Sequence, residues 1–270
     1  MAVKRYWAKS DNTITNAFEE NLTTRATGSN MGASDILEVF SIYAQASSTS
    51  AEKSRALIKF NVTASTNSIQ SDRAAGTIPV SGSVSFYLRL FNAPHSQTLP
   101  KNFTMDVSAI NGSWEEGNGL DMDAYKDKDD SNWTNKLPAT AWTTTGGDYY
   151  VDATSSFTAS FGEGTEDIEV DITTLVEQWV NSAGNILGSK GDEGVGVFNS
   201  STYEAAARSY YTKKFFGRGT EFFFKRPCIE ARWNSATKDD RGTFFYSSSL
   251  ATADENLNTI YFYNYFIYCI

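Results

Sequence analysis

The sequence predicts an all-β antiparallel β-sandwich with one short helix packed at an end and an extended C-terminal strand segment. Three observations support this fold class: period-two alternation in several segments, an aromatic content of 14% with many Ser, Thr and Asn, and a single convincing helical pattern. The cleanest alternation lies in residues 82–93, where Val84, Phe86, Leu88 and Leu90 share one face. We therefore expect a central strand there, with one face on a core.

Other segments are expected to form strands around this central one. Residues 54–62 and 226–233 carry apolar side chains at alternate positions and should flank it. Further strand candidates are residues 36–43, 102–110, 157–161, 168–172 and 194–199. Residues 1–25 contain two separate strand-like pieces, and residues 63–79 are predicted to be a long polar connection.

Residues 171–181 are the predicted helix. Their apolar side chains recur at helical spacing and form one stripe: Ile172, Leu175, Val176, Trp179 and Val180. Either Asp171 or Thr174 can cap its start, the latter with Glu177 at the spacing of a capping box. A helix of this length is expected to pack across one end of the sandwich.

The chain is predicted to divide into a sandwich domain, residues 1–235, and an extended C-terminal assembly segment, residues 236–270. The end of this segment is apolar on both alternating faces: Ile260, Phe262, Phe266 and Ile270 on one, Tyr261, Tyr263, Tyr265 and Ile267 on the other. A strand of this kind needs cover on both faces. We expect it to lie in an inter-subunit contact or to continue into a longer parent chain; the alternative is a final strand buried within the same domain.

Composition excludes several classes of protein. A net charge of −9 argues against a nucleic-acid or anionic-membrane binder. The longest apolar run, residues 260–270, is shorter than the roughly 20 residues of a membrane span, so no membrane insertion is expected. No apolar segment follows the basic N-terminus, so no signal peptide is expected. Two cysteines and one histidine disfavour a disulfide scaffold or a zinc site and favour a reduced cytosolic origin.

An acidic loop after Trp114 is the candidate for chemistry. Glu115, Glu116, Asp121 and Asp123 could supply the paired carboxylates that glycoside hydrolysis requires. The favoured interpretation is a solvated acidic loop above a buried Trp114, and the protein is expected not to be an enzyme.

The same loop contains a candidate calcium site. Asp121, Asp123, Asp127 and Asp129 offer hard oxygen ligands. The loop lacks the glycine and the distal glutamate of an EF-hand, so the sequence does not assign it to that class. Apart from this Ca²⁺ candidate, no cofactor is expected.

Two aromatic groups suggest binding surfaces. Trp133, Trp142, Tyr149 and Tyr150 could form a glycan-stacking platform if the rings are exposed, although indoles are usually buried. The Phe-rich, basic stretch 213–226 could be a nucleic-acid surface. For that stretch we favour a core-packed aromatic hairpin with solvated basic tips, or a patch that docks an acidic neighbouring subunit.

The order of these signals resembles the DNRLRE-type β-sandwich modules, jelly-roll-like domains of secreted, cell-surface and phage proteins. The resemblance covers about residues 5–234 and is carried by Ser29, Asn30 and Gly32 before the 36–39 strand, then by SRALIKF (54–60), the 84–90 strand, GSWEEG (112–117), Trp142 with Gly146 and Gly147, DITTLVEQWV (171–180) and RPCIEARW (226–233). It implies a jelly-roll-like sandwich. The chain departs from the family pattern at 189–211, where the expected strand is interrupted.

Several stretches also resemble virion structural proteins of marine tailed phages: GSNMGASDILEVFSIY (28–43), FYLRLFNAPHS (86–96), YYTKKFF (210–216) and FFKRPCIEARW (223–233). This resemblance implies a virion component made in a host cytoplasm, whose partners are other virion proteins and further copies of itself. We therefore expect a structural protein of a neck, tail, fibre-associated appendage or capsid decoration. The alternative is a carbohydrate-binding module for adhesion to a host-surface glycan, and the third hypothesis is a glycan-cleaving enzyme.

Overall fold

The computed structural model describes residues 1–180 and 189–235, with the backbone alone for Tyr211. Residues Ala2–Trp233 form one compact unit. This unit is an all-β antiparallel, nearly closed sandwich, so the predicted fold class is confirmed. Among the described residues, no helix is long and apolar enough to cross a membrane.

Twelve strands are found in the described residues. They are β1 (Ala2–Thr15), β2 (Ile36–Tyr43), β3 (Ala51–Phe60), β4 (Val84–Leu90), β5 (Phe103–Ala109), β6 (Asn135–Leu137), β7 (Thr140–Ala141), β8 (Ser156–Phe161), β9 (Ile168–Asp171), β10 (Val195–Asn199), β11 (Tyr210–Phe216) and β12 (Cys228–Trp233). Ten of them follow the order β8-β5-β10-β3-β1-β12-β4-β9, with β2 beside β3 and β11 beside β2. The short strands β6 and β7 form a separate hairpin.

Strand β1 belongs to both halves of this sheet. Its first half pairs with β12, from Ala2 opposite Trp233 to Trp7 opposite Cys228. Its second half pairs with β3, and the register shifts between Ala8 and Ser10. A bulge of this kind bends and twists a strand, which lets one strand change partners. The sequence prediction of two separate N-terminal pieces was therefore wrong about their continuity.

The main core lies between the facing layers. Strand β4 buries Val84, Phe86, Leu88 and Leu90, as its alternation predicts. Its predicted central position was wrong, because it lies between β12 and β9, second from the end of the strand order. The inward positions of β3, β5, β10 and β12 complete this core with aliphatic and phenyl side chains. Fully burying one such side chain contributes roughly 1.5–3 kcal/mol, so this layer dominates the stability of the fold.

Three short helices occur in the described residues: α1 (Ile69–Ala74), α2 (Thr173–Val180) and α3 (Ser201–Glu204). The predicted helix is α2, whose apolar stripe enters the main core. The carboxylate of Asp171 accepts the N–H of Thr173 at 2.9 Å. Thr174 lies inside the helix and donates to the Thr154 carbonyl at 2.9 Å, so the expected capping box is not formed by it.

Helix α1 lies in the segment predicted to be a polar connection. Ser68 and Ser71 form a reciprocal capping box at its start, and Ile69 is buried in the main core. Arg73 pairs with Glu177 of α2 through two hydrogen bonds of 2.7 and 2.6 Å. This ion pair links the two helices.

A second, smaller cluster of apolar side chains lies on the outer face of β1 and β3. We call it the tryptophan cluster, and its members are Ile14, Leu57, Ile110, Trp114, Trp133 and Trp142. The three indoles come from the long segment 111–150, which folds over the sheet. A layer outside the sandwich is thus formed by residues that have no strand periodicity.

Candidate functional site

A cleft of about 650 Å³ opens beside the tryptophan cluster. Its lining includes Arg55, Phe198, Asp106, Ser108 and Ser156 from the outer face of β3, β10, β5 and β8. The loop 143–151 and helix α3 complete the lining. Ligand sites are typically concave and range over roughly 300–1,000 Å³, so the cleft has the size of a binding site.

Arg55 and Glu204 form one wall of this cleft. Arg55 donates from Nε and Nη2 to the two carboxylate oxygens of Glu204 at 3.0 and 2.7 Å, and from Nη1 to the Gly146 carbonyl at 3.0 Å. Burial disfavours the charge, but the hydrogen bonds to Glu204, together with the electrostatic attraction of Tyr149 and Glu204, outweigh it and raise the pKa of Arg55. The guanidinium is therefore committed to groups of the protein itself.

Tyr149 and Phe198 form the aromatic part of the cleft. Their ring centroids are 4.7 Å apart with planes inclined at 43°. The guanidinium carbon of Arg55 lies 4.8 Å from the centroid of Phe198. The Tyr149 hydroxyl donates to the Gly146 carbonyl at 2.9 Å, and burial raises the pKa of Tyr149 to about 12. Both rings are held in place by protein contacts alone.

Tyr149 can occupy this position because two neighbouring residues are glycines. A Cβ on Gly196 of β10 would lie 2.1 Å from Cε1 of Tyr149. A Cβ on Gly147, whose φ is +107°, would lie 2.4 Å from its hydroxyl oxygen. Any larger residue at either position would displace the ring from the cleft.

The opposite side of the cleft floor is polar. Asp106 Oδ1 accepts from the Thr158 hydroxyl at 3.2 Å. The hydroxyl oxygens of Ser108 and Ser156 lie 2.8 Å apart across β5 and β8. Burial raises the pKa of the Asp106 carboxyl. The cleft thus combines an aromatic wall with short polar side chains.

The predicted glycan-stacking platform is not present as a unit. Trp133 and Trp142 are 7% and 4% exposed and belong to the tryptophan cluster, where Nε1 of Trp142 donates to the Asn132 carbonyl at 2.9 Å. Tyr150 packs against the main core, and Tyr149 lines the cleft. The platform required exposed rings, and the two indoles are buried, as indoles usually are.

Sequence reasoning missed Arg55, Asp106 and Phe198 as site residues. They come from three strands that are far apart in the sequence and meet only through the pairings of β3, β10 and β5. Their outward positions in alternating strands were the available signal. The alternation predicts which side chains lie on the outer face of the sheet. It does not predict which of those side chains line a cleft.

The acidic loop is built into the fold through Glu116. Its two carboxylate oxygens accept from Nε and Nη2 of Arg218 at 3.0 and 2.8 Å, and one also accepts the N–H of Asp11 at 2.7 Å. Trp114 is buried, as the favoured interpretation required, and its Nε1 donates to the Glu193 carbonyl at 2.8 Å. Glu116 is therefore an anchor of the loop, paired within the protein.

The four candidate calcium ligands do not converge. Asp121 Oδ1 accepts three backbone N–H groups at 2.7 to 2.9 Å, and these bonds, that from Tyr125 first, lower the pKa of Asp121. Asp127 likewise accepts backbone N–H groups, whereas Asp123 and Asp129 are exposed. Over residues 1–180 and 189–235, no group of three or more acidic, His or Cys side chains is placed to hold a metal ion. In this loop Asp121 and Asp127 therefore accept hydrogen bonds from backbone N–H groups of turns.

Phe222, Phe223 and Phe224 form an exposed aromatic patch, with exposed fractions of 54%, 46% and 71%. They lie in and beside a single 3-10 turn, Phe223–Lys225, between β11 and β12. The ring of Trp7 lies 4.7 Å from that of Phe223. The predicted core-packed hairpin is wrong for these residues, because the chain makes a 3-10 turn there and leaves all three side chains exposed.

Lys213, predicted to lie at a solvated basic tip, is fully buried. Its Nζ donates to Oδ1 of Asn92 at 2.5 Å and to the carbonyls of Gly164 and Glu166, both at 2.8 Å. Burial lowers the pKa of Lys213 to about 8. This lysine is a structural cross-link inside the protein and does not contribute to a basic surface.

The predicted assembly segment, including Ile260, Tyr261, Phe262, Tyr263, Tyr265, Phe266, Ile267 and Ile270, lies outside the described residues. The predicted boundary at residue 235 coincides with the end of the described chain and stays a prediction.

Comparisons with known proteins do not identify a family for this chain. A scan against protein-family models finds no match, and a search of the curated proteins finds none either. The resemblance to DNRLRE-type modules therefore stays a prediction based on the motifs.

Proposed function

We propose that this protein is a non-enzymatic structural component of a tailed-phage virion that attaches to its neighbours through protein–protein contacts. The resemblance of several stretches to virion proteins supports the setting. The exposed aromatic patch Phe222–Phe224 is the observation that supports the mode of action. Its place in the particle is a neck, tail or fibre-associated appendage, or a capsid decoration.

The aromatic patch has the properties of a docking surface. Three adjacent phenyl rings exposed by about half or more are unusual for an isolated surface, and contiguous apolar patches mark interaction sites. Trp7 and Phe216 support the patch from beneath, with ring centroids 4.7 and 5.5 Å from Phe223 and Phe222. Aromatic side chains on a rigid base are typical anchors of interfaces.

Charges beside the patch indicate the chemistry of its partner. Lys225 and Arg226 follow the three phenylalanines directly, and the guanidinium of Arg226 lies 5.3 Å from the ring of Phe223. Within the described residues, neither forms an ion pair with a carboxylate. A basic rim around an aromatic centre fits an apolar pocket bordered by Asp and Glu. We assign that pocket to a neighbouring virion protein.

Reconstitution of particles tests this proposal. Phage particles assembled without the protein are mixed with the purified wild type or with the triple variant Phe222→Ser, Phe223→Ser, Phe224→Ser, and bound protein is measured by co-sedimentation. The wild type is expected to bind in a fixed ratio and the triple variant to remain in the supernatant. A matched variant, Val80→Ser with Tyr125→Ser, removes exposed apolar surface elsewhere and should bind like the wild type.

Two results would contradict the proposal. One is absence of wild-type binding to the particles; the other is binding that the triple variant retains. If wild-type protein forms oligomers in solution that the triple variant loses, and does not bind particles, the patch pairs copies of this chain and the assigned partner is wrong.

Adhesion to a host-surface glycan is the second candidate function. The observation that favours it is the cleft beside the tryptophan cluster, with its aromatic wall and polar floor.

A further inference from the structure

We infer that the cleft formed by β3, β10, β5, β8 and α3 is a binding site for a neutral saccharide. This site belongs to the adhesion function proposed as the alternative, and it is independent of the docking role of the aromatic patch. It uses a different surface from the predicted Trp133 and Trp142 platform.

The aromatic wall supplies the apolar contact that a sugar ring requires. Phe198 is half-buried and lines the cleft, so part of its ring is accessible to a ligand. Tyr149 and Arg55 pack against it at 4.7 and 4.8 Å and fix its position. The C–H face of a pyranose packs well against such a ring, and a ring already fixed costs little ordering on binding.

The polar floor supplies hydrogen bonds of the kind that sugar hydroxyls make. Within the described residues, Asp106 uses Oδ1 for Thr158 and has no hydrogen bond to Oδ2. Ser108 and Ser156 share one hydrogen bond, so the pair retains a donor and further acceptor capacity. Each sugar hydroxyl both donates and accepts, and it can therefore satisfy a carboxylate and a serine pair side by side.

The charges of the cleft select a neutral ligand. Among the described residues its one cation is Arg55, whose charge is paired with Glu204 and which also donates to the Gly146 carbonyl, so it offers no uncompensated positive charge to a uronate or a sulfate. Asp106 adds a carboxylate with no cationic partner in the described residues. An acidic sugar would therefore meet net repulsion.

Binding, and not hydrolysis, follows from the same groups. Glycoside hydrolysis requires two carboxyl groups that are free to act on the glycosidic bond. Glu204 is held by Arg55, and both oxygens of Asp148 accept backbone N–H groups of its own loop at 2.9 and 2.8 Å. Among the residues that line the cleft, Asp106 is the carboxylate left for a ligand.

Titration of purified protein with defined sugars tests the site. A glycan array selects among neutral oligosaccharides, and isothermal titration calorimetry then compares cellohexaose, mannohexaose, xylohexaose and maltohexaose with an acidic polyuronate hexasaccharide. Phe198→Ala and Asp106→Ala are each expected to weaken binding of the neutral sugar by about tenfold or more. Asp123→Ala, at an exposed carboxylate, and Phe222→Ala, in the aromatic patch, should bind like the wild type.

Each outcome decides the assignment. Neutral-sugar binding that falls in both cleft variants and persists in both controls supports it. The inference is overturned if no neutral sugar binds, if binding survives Phe198→Ala and Asp106→Ala, or if the acidic hexasaccharide binds more tightly. Asp106→Ala changes a side chain on the outer face of the sheet. If Phe198→Ala does not fold, sugar binding by Asp106→Ala alone tests the site. Because Phe222→Ala is a control here, failure of this site leaves the docking proposal standing.

Discussion

The main core and the tryptophan cluster lie on opposite faces of β3 and are filled in different ways. Ala56 and Ile58 of β3 enter the main core, where neighbours come from other strands at every second position. Leu57, between them, enters the tryptophan cluster, where three indoles come from the segment 111–150. One core is therefore built by strand periodicity and the other by a loop that returns to the sheet.

The loop is held in place by buried asparagine side chains, whereas the main core is filled mainly by apolar side chains. Asn30 Nδ2 donates to the carbonyls of Glu116 and Ser131 at 2.6 and 2.7 Å, and its Oδ1 accepts the N–H of Gly32 at 2.8 Å. Asn12 of β1 donates to the same Ser131 carbonyl at 2.8 Å. The carbonyls of Glu116 and Ser131, which lie outside the β6–β7 hairpin, are thus satisfied by asparagine side chains.

Removing a ring from the main core should have the largest effect. Phe86→Ala leaves a cavity beneath β4, and we expect the free energy of unfolding to fall by about 3–5 kcal/mol. Urea unfolding followed by circular dichroism measures it. Phe222→Ala removes an equal side chain from an exposed position and should change stability by less than about 0.5 kcal/mol. Equal effects of the two variants would show that the described burial is wrong.

Removing the polar anchor of the loop should have the next largest effect. Asn30→Ala removes the hydrogen bonds to the half-buried Glu116 carbonyl and the buried Ser131 carbonyl, and we expect the free energy of unfolding to fall by about 2–3 kcal/mol. Hydrogen exchange should increase in residues 111–150 before it increases in β4. Asn118→Ala, at an exposed position, is the control. Uniform exchange across both regions would mean that the loop and the main core unfold as one unit.

A smaller effect is expected inside the tryptophan cluster. Trp142→Phe keeps an aromatic ring but loses the hydrogen bond to the Asn132 carbonyl, which should cost about 1–2 kcal/mol. Thermal unfolding measures the change, and Tyr125→Phe, on the exposed side of the same segment, serves as the reference. If Trp142→Phe cost as much as Phe86→Ala, the proposed ranking of the two cores would not hold.

The smallest effect concerns pH at the junction between β1 and the loop. Burial raises the pKa of Asp11 from 3.8 to about 7, so between these values the folded chain keeps a proton that the unfolded chain has released. Through this group the free energy of unfolding therefore falls as the pH rises, by about 1 kcal/mol between about pH 5 and about pH 6.

The variant Asp11→Asn mimics the protonated carboxyl and should lack this contribution. Urea midpoints at the two pH values would then diverge from those of the wild type, with the wild type losing more stability. Asp123→Asn, at an exposed carboxylate, should follow the wild type. Parallel pH profiles for Asp11→Asn and the wild type would contradict the raised pKa.

The two cores also differ in how well the sequence predicts them. The strands of the main core were predicted because one face of each is apolar at every second position, as in β4. Helix α2 was predicted because its apolar side chains recur at helical spacing. The tryptophan cluster was not predicted, because Trp133 and Trp142 lie in a segment without hydrophobic periodicity. Composition alone does not distinguish a buried indole from an exposed one.

The cleft depended on tertiary structure in the same way. Tyr149 was identified as an aromatic side chain suited to ligand contact, but its partners Phe198 and Arg55 are brought to it by strand pairing. Helix α1 escaped prediction because it buries only Ile69 and its capping box uses Ser71 in place of the Glu or Gln of the usual motif. Lys213 was predicted to be exposed because basic residues surround it in the sequence. It is buried because three oxygen acceptors compensate its charge inside the protein.

The pairing of Ala2 with Trp233 has an architectural consequence. Because β1 and β12 are paired, the first and last residues of the sandwich lie side by side. A domain with adjacent ends can be inserted into a surface loop of another polypeptide with little change in the path of that chain.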